Sequence, residues 1–385
     1  MRLNSVILNT MRRGAIRLSL LGVLCLATCL TSCESLYDDQ SDCRSGIALR
    51  FVYDYHMEPG ANAFPANVDC VTVLVFDQKS GNYVTQFTET SDVLRSESYR
   101  MDLLLEPGKY HLVVYGGLAC DHPTFDFTPD FNAAQQRANS DYTKDDILVS
   151  LPLENGVSAK QLHDIEERTG GLFYGTLDIT VTDDDRSKND FRVETVNLMK
   201  DTNNIQVILQ EIANPDKMNV DDYNFYIIDD NFILNGYNKP VHIATEAFQP
   251  MYLPYHTENR ITGYVEYKGQ NGALLTEDEQ RPVQVACAEF STSRLLMEHL
   301  PTARLVITSR TDKDDDGTDR LIVDIPLITY LTAIRGFGDT WIKDDQEFLD
   351  RQSRWTLMFF LQRNAWVSTR IAVNSWVVRI NNAEL

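Results

Sequence analysis

Apolar and polar residues alternate along much of this chain, which is the period of a half-buried β-strand. The alternation is clear in residues 47–55. Residues 71–76 form a continuous apolar run, as expected of a strand buried on both faces, and 77–81 form a turn to a returning strand at 83–87. A helical period is weak and is confined to residues 159–168. The pattern therefore predicts an all-β protein.

A second turn signal follows in Glu106-Pro107-Gly108-Lys109. Proline and then glycine at the two central positions favour a type II turn. We therefore predict that residues 101–105 and 110–115 pair as a hairpin, and that 172–181 form a further strand.

The same pattern repeats in the second half of the chain. Residues 123–169 are polar and are predicted to be long loops with one short helix, and the acidic run 183–185 closes the first block. Strands are then predicted at 204–212, 223–229, 231–234, 305–309, 321–325, 355–361 and 369–380. Two successive β-rich blocks predict tandem β-sandwich domains, at residues 33–185 and 186–385.

The N-terminus has the features of a bacterial lipoprotein leader. Basic residues, among them Arg12 and Arg13, precede an apolar stretch at 18–30 that is too short to span a bilayer, and Leu30-Thr31-Ser32-Cys33 then reads as a lipobox. We predict a signal peptide at residues 1–32 and a lipid on the Cys33 thiol. The alternative is an ordinary secretory signal with an incidental cysteine.

Charge narrows the classes of partner. The chain has 385 residues and a formal net charge of -21 at pH 7, so its surface repels nucleic-acid phosphates and anionic head groups. No apolar run of transmembrane length follows Cys33, so the lipid is the predicted membrane attachment.

Four of the seven cysteines remain once the leader and the lipidated residue are set aside. Cys43 and Cys120 lie at predicted strand ends, where a bridge could tie the tether to the first domain. We predict that these two pair, although four cysteines allow three pairings. Cys70 and Cys287 lie in apolar stretches and are predicted to be buried thiols. No cysteine or histidine spacing predicts a zinc site.

Motifs of catalysis were not found. The chain has no G-x-S-x-G, H-E-x-x-H or P-loop sequence, and His163 followed by Glu166 and Glu167 lacks the closing histidine of a metalloprotease helix. We therefore predict that the protein is not an enzyme and needs no cofactor.

A candidate calcium loop runs from Asp312 through Asp314 and Asp316 to Gly317. The twelfth position is Val323 rather than glutamate, so the bidentate ligand is missing. The same residues also fit a plain hairpin turn between two strands, which we favour.

Tryptophan is concentrated in the last quarter of the chain. Exposed rings there could stack on sugars, but tryptophans more often fill a sandwich core. The four residues are Trp341, Trp355, Trp366 and Trp376.

Beyond these patterns, the chain resembles the fimbrial anchor-subunit lipoproteins of Gram-negative anaerobes, the family of major and minor fimbrium anchoring subunits. The resemblance covers nearly the whole mature chain in the family's order. Its matching stretches are Asp42-Cys43, 68–73, Phe76-Asp77, 106–110, 116–118, 199–204, 290–295, 345–352 and 374–379.

This resemblance implies two transthyretin-like β-sandwich domains and attachment to the outer membrane at the base of a fimbrium, with control of its length. It also implies fimbrial stalk subunits as partners. Such stalks polymerise by strand exchange, in which one subunit loses its first strand and a neighbour's C-terminal strand fills the groove. An anchor must keep its lipidated N-terminus and is expected to escape that cleavage.

The C-terminal segment 370–380 is the predicted partner-binding strand. Ala372, Trp376, Val378 and Ile380 share one face at period two, interrupted by Asn374. Either this strand docks in the groove of a stalk subunit, or it is an internal strand of the second domain.

Two other classes of function stay open. One is a surface glycan-binding or adhesive lipoprotein, and the other is a lipoprotein hydrolase, which the lack of a visible nucleophile–base pair disfavours.

Overall fold

The fold is all-β, as predicted. The computed structural model describes residues 46–58, 60–118, 125–130, 142–154, 157–158, 171–187, 190–265, 281–335, 341–373 and 376–381. Its strands are β1 (Gly46–Val52), β2 (Val71–Asp77), β3 (Tyr83–Glu89), β4 (Met101–Leu103), β5 (Gly108–Gly116), β6 (Asp126–Thr128), β7 (Leu148–Ser150), β8 (Leu153–Glu154), β9 (Val157–Ser158), β10 (Phe173–Val181), β11 (Phe191–Asn197), β12 (Met199–Lys200), β13 (Thr202–Glu211), β14 (Tyr223–Ile228), β15 (Ile233–Asn235), β16 (Met251–Tyr252), β17 (His256–Val265), β18 (Arg281–Ser293), β19 (Arg304–Lys313), β20 (Asp319–Pro326), β21 (Arg354–Gln362), β22 (Ala365–Val373) and β23 (Trp376–Asn381).

Helices are few and short. The α-helices are α1 (Phe64–Asn67), α2 (Asp183–Ser187), α3 (Leu327–Thr332) and α4 (Asp345–Arg351), and 3-10 turns occur at Asp92–Arg95, Lys144–Asp146, Val220–Asp222 and Met297–His299. In the described part of the chain, no helix has both the length and the apolar character needed to cross a membrane.

The first sandwich packs a three-stranded sheet, in the order β11-β1-β4, against a five-stranded sheet, in the order β12-β10-β5-β2-β3. Strand β1 is central and runs parallel to β11 along its whole length. Val73 and Val75 of β2 pack toward β1, whereas Leu74 and Phe76 belong to a second core cluster that includes residues of the other sandwich. Burial on both faces explains why β2 reads as a continuous apolar run.

The predicted hairpin across Pro107 and Gly108 is wrong. Strand β4 pairs with β1 in one sheet, whereas β5 pairs with β2 and β10 in the other. Residues 104–107 therefore connect one sheet to the other. The Tyr110 hydroxyl stabilises this connection by donating to the Glu106 carbonyl at 2.9 Å. Gly108 lacks the positive φ of a type II turn. A Cβ there would lie 3.1 Å from the Tyr110 hydroxyl oxygen, so close packing is the reason for glycine.

The second sandwich has two six-stranded sheets, in the orders β17-β18-β13-β21-β22-β23 and β20-β19-β14-β16-β9-β8. Strand β13 is central, antiparallel to β18 and parallel to β21. The β19–β20 hairpin is confirmed. The return strand predicted after residue 229 is wrong, because β15 pairs with β7 in a separate sheet, in the order β15-β7-β6.

The predicted boundary at residues 185 and 186 is also displaced. Strand β11 pairs with β1 and β12 pairs with β10, so the first sandwich continues to Lys200. Strands β6 to β9 precede that point in sequence but belong to other sheets, β6 and β7 to the sheet of β15 and β8 and β9 to a sheet of the second sandwich. The acidic run is the first turn of α2, where Asp185 Oδ2 accepts from the Thr182 N–H at 2.9 Å, so it begins a helix and does not end the domain.

The cysteines depart from expectation at one position. Cys287 is a buried free thiol, as predicted. Cys70 is disulfide-bonded, so the expected free thiol there is wrong, and its bonding partner lies outside the described residues. Cys33, Cys43 and Cys120 also lie outside the described residues, and a bond between Cys43 and Cys120 stays a prediction.

Candidate functional site

The chain passes between the two sandwiches almost without a loop. The Leu198 N–H donates to the Val52 carbonyl at 2.8 Å, and the Asp201 N–H donates to the Leu172 carbonyl at 2.7 Å. Thr202, the next residue, already pairs with Ser293 at the start of β13. We call the region around this crossing the domain junction.

A partly buried arginine is the centre of the domain junction. The Arg294 guanidinium forms a two-pronged ion pair with Asp350 of α4, with N–O distances of 2.8 and 2.9 Å. It also donates to the Asn238 carbonyl at 2.7 Å, and its Nε lies 4.0 Å from Asp201 Oδ1. This arrangement joins the crossing segment, a loop and a helix through one planar cation.

Asp201 is fully buried in this network. Its Oδ1 accepts from the Asn238 side-chain amide at 2.9 Å, and its Oδ2 has no hydrogen-bond partner. Burial raises the pKa of Asp201 from 3.8 to about 7, because desolvation penalises the carboxylate. Burial, and then the charge of Arg354, lower the pKa of Lys200 from 10.5 to about 7.

The polar network continues into the second sandwich. The Asn231 amide donates to the Arg294 carbonyl at 2.8 Å, and the Tyr252 hydroxyl donates to Asn231 Oδ1 at 2.6 Å. Further along, His299 Nδ1 lies 2.5 Å from Asp229 Oδ1 in a buried pair. Most of these polar atoms are satisfied by protein partners, which orders the interior of the domain junction.

Aromatic side chains connect the two sandwiches at the outer part of the domain junction. The Arg351 guanidinium carbon lies 4.0 Å from the centroid of the Tyr55 ring, a cation–π contact between α4 and the first sandwich. The Tyr174 hydroxyl of β10 donates to the Gly236 carbonyl at 3.0 Å. These contacts and the shared core fix the orientation of the two sandwiches.

The sequence analysis did not predict this network, although it quoted the stretches that contain its residues. Asp201, Arg294 and Asp350 fall in three of the stretches that carry the family resemblance, 199–204, 290–295 and 345–352. The one available signal is Arg294, the single charged residue of its stretch, whereas the other two stretches each hold charges of both signs.

The predicted partner-binding strand is two strands. Residues 370–373 end β22 and residues 376–380 lie in β23, which returns antiparallel to it. Ala372 pairs with Val377, whereas Ile371 pairs with Val378. The expectation that Ala372 shares a face with Trp376, Val378 and Ile380 is therefore wrong, because the chain reverses between them.

Strand β23 is the outermost strand of its sheet. It pairs with β22 in an unbroken register from Ser368↔Asn381 to Val373↔Trp376. No other strand of the described chain lies beyond it. The segment is therefore both a strand of the second domain and an edge with one free side, and docking stays a prediction.

The opposite edge of the same sheet, β17, is built differently. Its pairing with β18 shifts register between Ile261 and Gly263, which marks a bulge. Glu258 and Arg260 form an ion pair on it. Bulges and charges on an edge strand discourage pairing with another strand.

The candidate calcium loop is the hairpin turn between β19 and β20. Asp316 Oδ1 accepts from the Thr318 N–H at 3.0 Å, and Asp312 Oδ2 accepts from the Asn364 amide at 2.6 Å. Gly317 takes a positive φ of 85°, which this turn requires. No cluster of three potential metal ligands occurs in the described part of the chain.

The tryptophans divide between core and surface. Trp355 is 2% exposed and packs edge-on against Phe348, and Trp366 packs on Phe359, which confirms the core interpretation for these two. Trp341 is 44% exposed and lies over Arg351.

A family model described as fimbrillin-A associated anchor proteins Mfa1 and Mfa2 matches residues 40–382. No curated protein matches the chain. Among solved structures, a candidate adhesin of Bacteroides thetaiotaomicron VPI-5482 is 35% identical, covers 89% of this chain and 100% of its own, and has a TM-score of 0.69.

Two other solved structures are similar. A candidate polysaccharide-binding protein of Bacteroides thetaiotaomicron VPI-5482 is 26% identical over 89% of this chain and 100% of its own, with a TM-score of 0.65. The fimbrial anchor protein Mfa2 of Porphyromonas gingivalis is 15% identical over 87% of this chain and 99% of its own, with a TM-score of 0.58, a likeness of fold.

Proposed function

The chain belongs to the family of fimbrillin-A associated anchor proteins, and on that premise we propose that it is the base subunit of a fimbrium. In this proposal it is held in the outer membrane by a lipid on Cys33, binds the first stalk subunit through its C-terminal edge, and limits the length of the fimbrium. The proposal rests on one observation: the outer side of β23 has no partner strand in the described chain.

Docking at β23 is supported by the hydrogen-bonding capacity of an edge strand. The backbone N–H and C=O groups on the side away from β22 have no partner strand in the described chain. A stalk subunit that adds β23 to its own sheet satisfies those groups, and the main-chain hydrogen bonds provide affinity.

Limitation of length is supported by the position of β1. This strand is central in its sheet, and its residues Ile47 and Leu49 are completely buried. Because β1 stays in place, the first sandwich has no vacated groove for a donor strand. Growth by strand exchange therefore ends at this subunit.

Attachment to the membrane is supported by the leader sequence alone, since residues 1–45 lie outside the described part of the chain. Two or three acyl chains on one cysteine give stable anchoring, at about 0.8 kcal/mol for each buried methylene. Cys33→Ala is expected to abolish labelling by a radioactive fatty acid and to release the protein or leave its precursor uncut. Equal label in the variant would refute lipidation at Cys33.

Deletion of residues 374–385 tests docking. The variant loses β23 but keeps β22 paired to β21, so we expect a folded, lipidated protein whose fimbriae are shed into the medium. Folding is checked by circular dichroism and thermal unfolding, and retention by immunoblotting of cell and medium fractions. A folded variant that keeps its fimbriae would refute docking at β23.

A second candidate function is adhesion through glycans. A relative that is 26% identical is described as a candidate polysaccharide-binding protein, and Trp341 is exposed on this chain. This function is compatible with an anchor and needs a binding site of its own. Hydrolysis, the third class left open by the sequence, gains no support from the described geometry.

A further inference from the structure

A cleft opens beside the domain junction, on the side of the first sandwich. Its volume is about 410 Å³, which lies in the range of small-molecule sites. We propose that this cleft binds the neutral saccharide end of a glycan. The lining residues that matter are Asp54, Tyr55, Tyr174, Thr176 and Asn197.

The cleft is formed by close backbone approach. At Gly175, an added Cβ would lie 2.7 Å from the Asn197 carbonyl oxygen and 2.8 Å from a methyl group of Leu198. Glycine therefore lets β10 and the end of β11 approach each other and leaves the floor of the cleft without a side chain. The two tyrosines and Asp54 stand around this floor.

The polar groups at the rim are free to bind a ligand. Asp54, Thr176 and Asn197 are exposed, and within the described part of the chain their side chains form no hydrogen bond or ion pair. A carboxylate, a hydroxyl and an amide together accept and donate hydrogen bonds, as vicinal sugar hydroxyls require. The Tyr174 hydroxyl is already engaged by Gly236, so that residue offers its ring rather than its hydroxyl.

Charge selects among ligands that could fill the cleft. Among the described lining residues Asp54 alone is charged, so phosphorylated, sulfated and sialylated ligands are repelled. A cationic ligand is disfavoured too, because the Arg351 guanidinium covers one face of the Tyr55 ring, 4.0 Å from its centroid. A neutral polyhydroxylated ring, with an apolar face for tyrosine and hydroxyls for the rim, fits both constraints.

This inference does not depend on docking at β23. The cleft is lined by residues of the first sandwich and of the crossing segment, and none of them belongs to β23. Loss of glycan binding and loss of fimbriae are therefore separable outcomes.

The test is a glycan array probed with the full-length protein in detergent. Arrays carry neutral, sialylated and sulfated termini, and affinities for the best neutral glycan are then measured by titration calorimetry. Asp54→Asn and Asn197→Ala are the test variants, and Asp102→Asn is the control because it removes an exposed carboxylate of β4, outside the cleft.

We expect binding to neutral termini, with Asp54→Asn weaker by about tenfold or more and Asn197→Ala weaker by about threefold to tenfold, because hydrogen bonds to charged groups are stronger than those between neutral groups. The control should be unchanged. Thermal unfolding checks that all variants stay folded. Three results would each overturn the proposal: no neutral glycan bound, binding to acidic glycans alone, or affinity unchanged in both test variants.

Discussion

The domain junction and the outer strand β23 differ in whether their hydrogen-bonding groups have partners within the described chain. At the domain junction, Arg294 and Asp350 form hydrogen bonds with each other inside the protein. The strands before and after the crossing are paired as well, β12 with β10 and β13 with β18. At β23, one side of the strand pairs with β22 and the other faces no described strand. The contrast teaches that a substitution at the domain junction should change stability, whereas one at β23 should change binding.

The largest loss of stability is expected from Arg294→Ala. It leaves the Asp350 carboxylate buried without its cation, which costs about 3–5 kcal/mol of the free energy of unfolding. The measurement is denaturant unfolding followed by fluorescence. Arg304→Ala is the matched control, because its ion pair with Asp324 is partly exposed and is worth less than about 1 kcal/mol. Equal losses in the two variants would contradict the importance of the network.

The next largest effect concerns the disulfide of Cys70. The Gly117 N–H donates to the Cys70 carbonyl at 3.1 Å, and Cys120 follows only three residues later, a span of at most about 10 Å. Cys43 precedes Gly46, and Gly46 begins β1 at the end away from Val52 and the domain junction. We therefore expect a Cys70–Cys120 bond in place of the Cys43–Cys120 pair predicted from sequence.

Peptide mapping without reduction distinguishes the two pairings. Cys70→Ser is expected to lower the free energy of unfolding by about 2–4 kcal/mol, because the bond limits the entropy of the unfolded chain. A linked peptide that contains Cys43 and Cys120 would show that the sequence prediction was correct and this one wrong.

An effect that depends on pH, absent near pH 4 and largest above pH 7, is expected at Asp201. Its pKa is about 7 in the folded protein and ordinarily 3.8, so its contribution to stability is complete below pH 3.8 and is lost as pH rises through 7. Asp201→Asn removes that loss while it keeps an oxygen for Asn238. The variant should therefore match the wild type near pH 4 and exceed it at pH 8, by up to about 4 kcal/mol.

Lys200 provides the control for this pH dependence. Its folded pKa is also about 7 but is lowered from 10.5, so its contribution is complete above pH 10.5 and is lost as pH falls through 7. Lys200→Met should therefore gain stability on the acid side of pH 7, opposite to Asp201→Asn. A difference between Asp201→Asn and the wild type that does not vary with pH would refute the raised carboxyl pKa.

The smallest effect on stability is expected at β23. Val377→Lys breaks no strand pairing and should change the free energy of unfolding by less than about 1 kcal/mol. A lysine on an edge strand discourages pairing with another strand, so fimbriae should be shed. Ile261→Lys on β17 is the matched control and should leave them attached. Shedding by both variants, or by neither, would end the distinction between the two edges.

The sequence predicted those elements whose partners are local. The β2–β3 and β19–β20 hairpins follow from apolar runs around acidic turns, with Gly81 and Gly317 at positive φ. The crossing at Pro107 was mistaken for a hairpin, because period two shows that residues form a strand and not which sheet the strand joins. The parallel pairing of β11 with β1 was missed for the same reason, since it joins residues far apart in the chain.

The candidate site residues show the same limit: local patterns were predicted from the sequence, and contacts between distant residues were not. The C-terminal strand was located from its own pattern, but its reversal between Val373 and Trp376 was not, because Asn374 was interpreted as an interruption within one strand. The domain junction depends on Asp201, Arg294 and Asp350 meeting in space. Asp201 follows Lys200 directly and Asp350 precedes Arg351, so the sequence does not show which charges pair, and only the fold shows that Arg294 compensates the two carboxylates.

The central position of β1 has a mechanical consequence. If the tether ends at the membrane, tension on a fimbrium pulls on Gly46 along the axis of the strand. All of its register pairs with β11, from Gly46↔Phe191 to Val52↔Asn197, then resist in shear and must fail together, whereas a strand pulled from its side would peel one pair at a time. Under such a load, the rate of forced unfolding rather than the equilibrium stability sets how long the subunit holds.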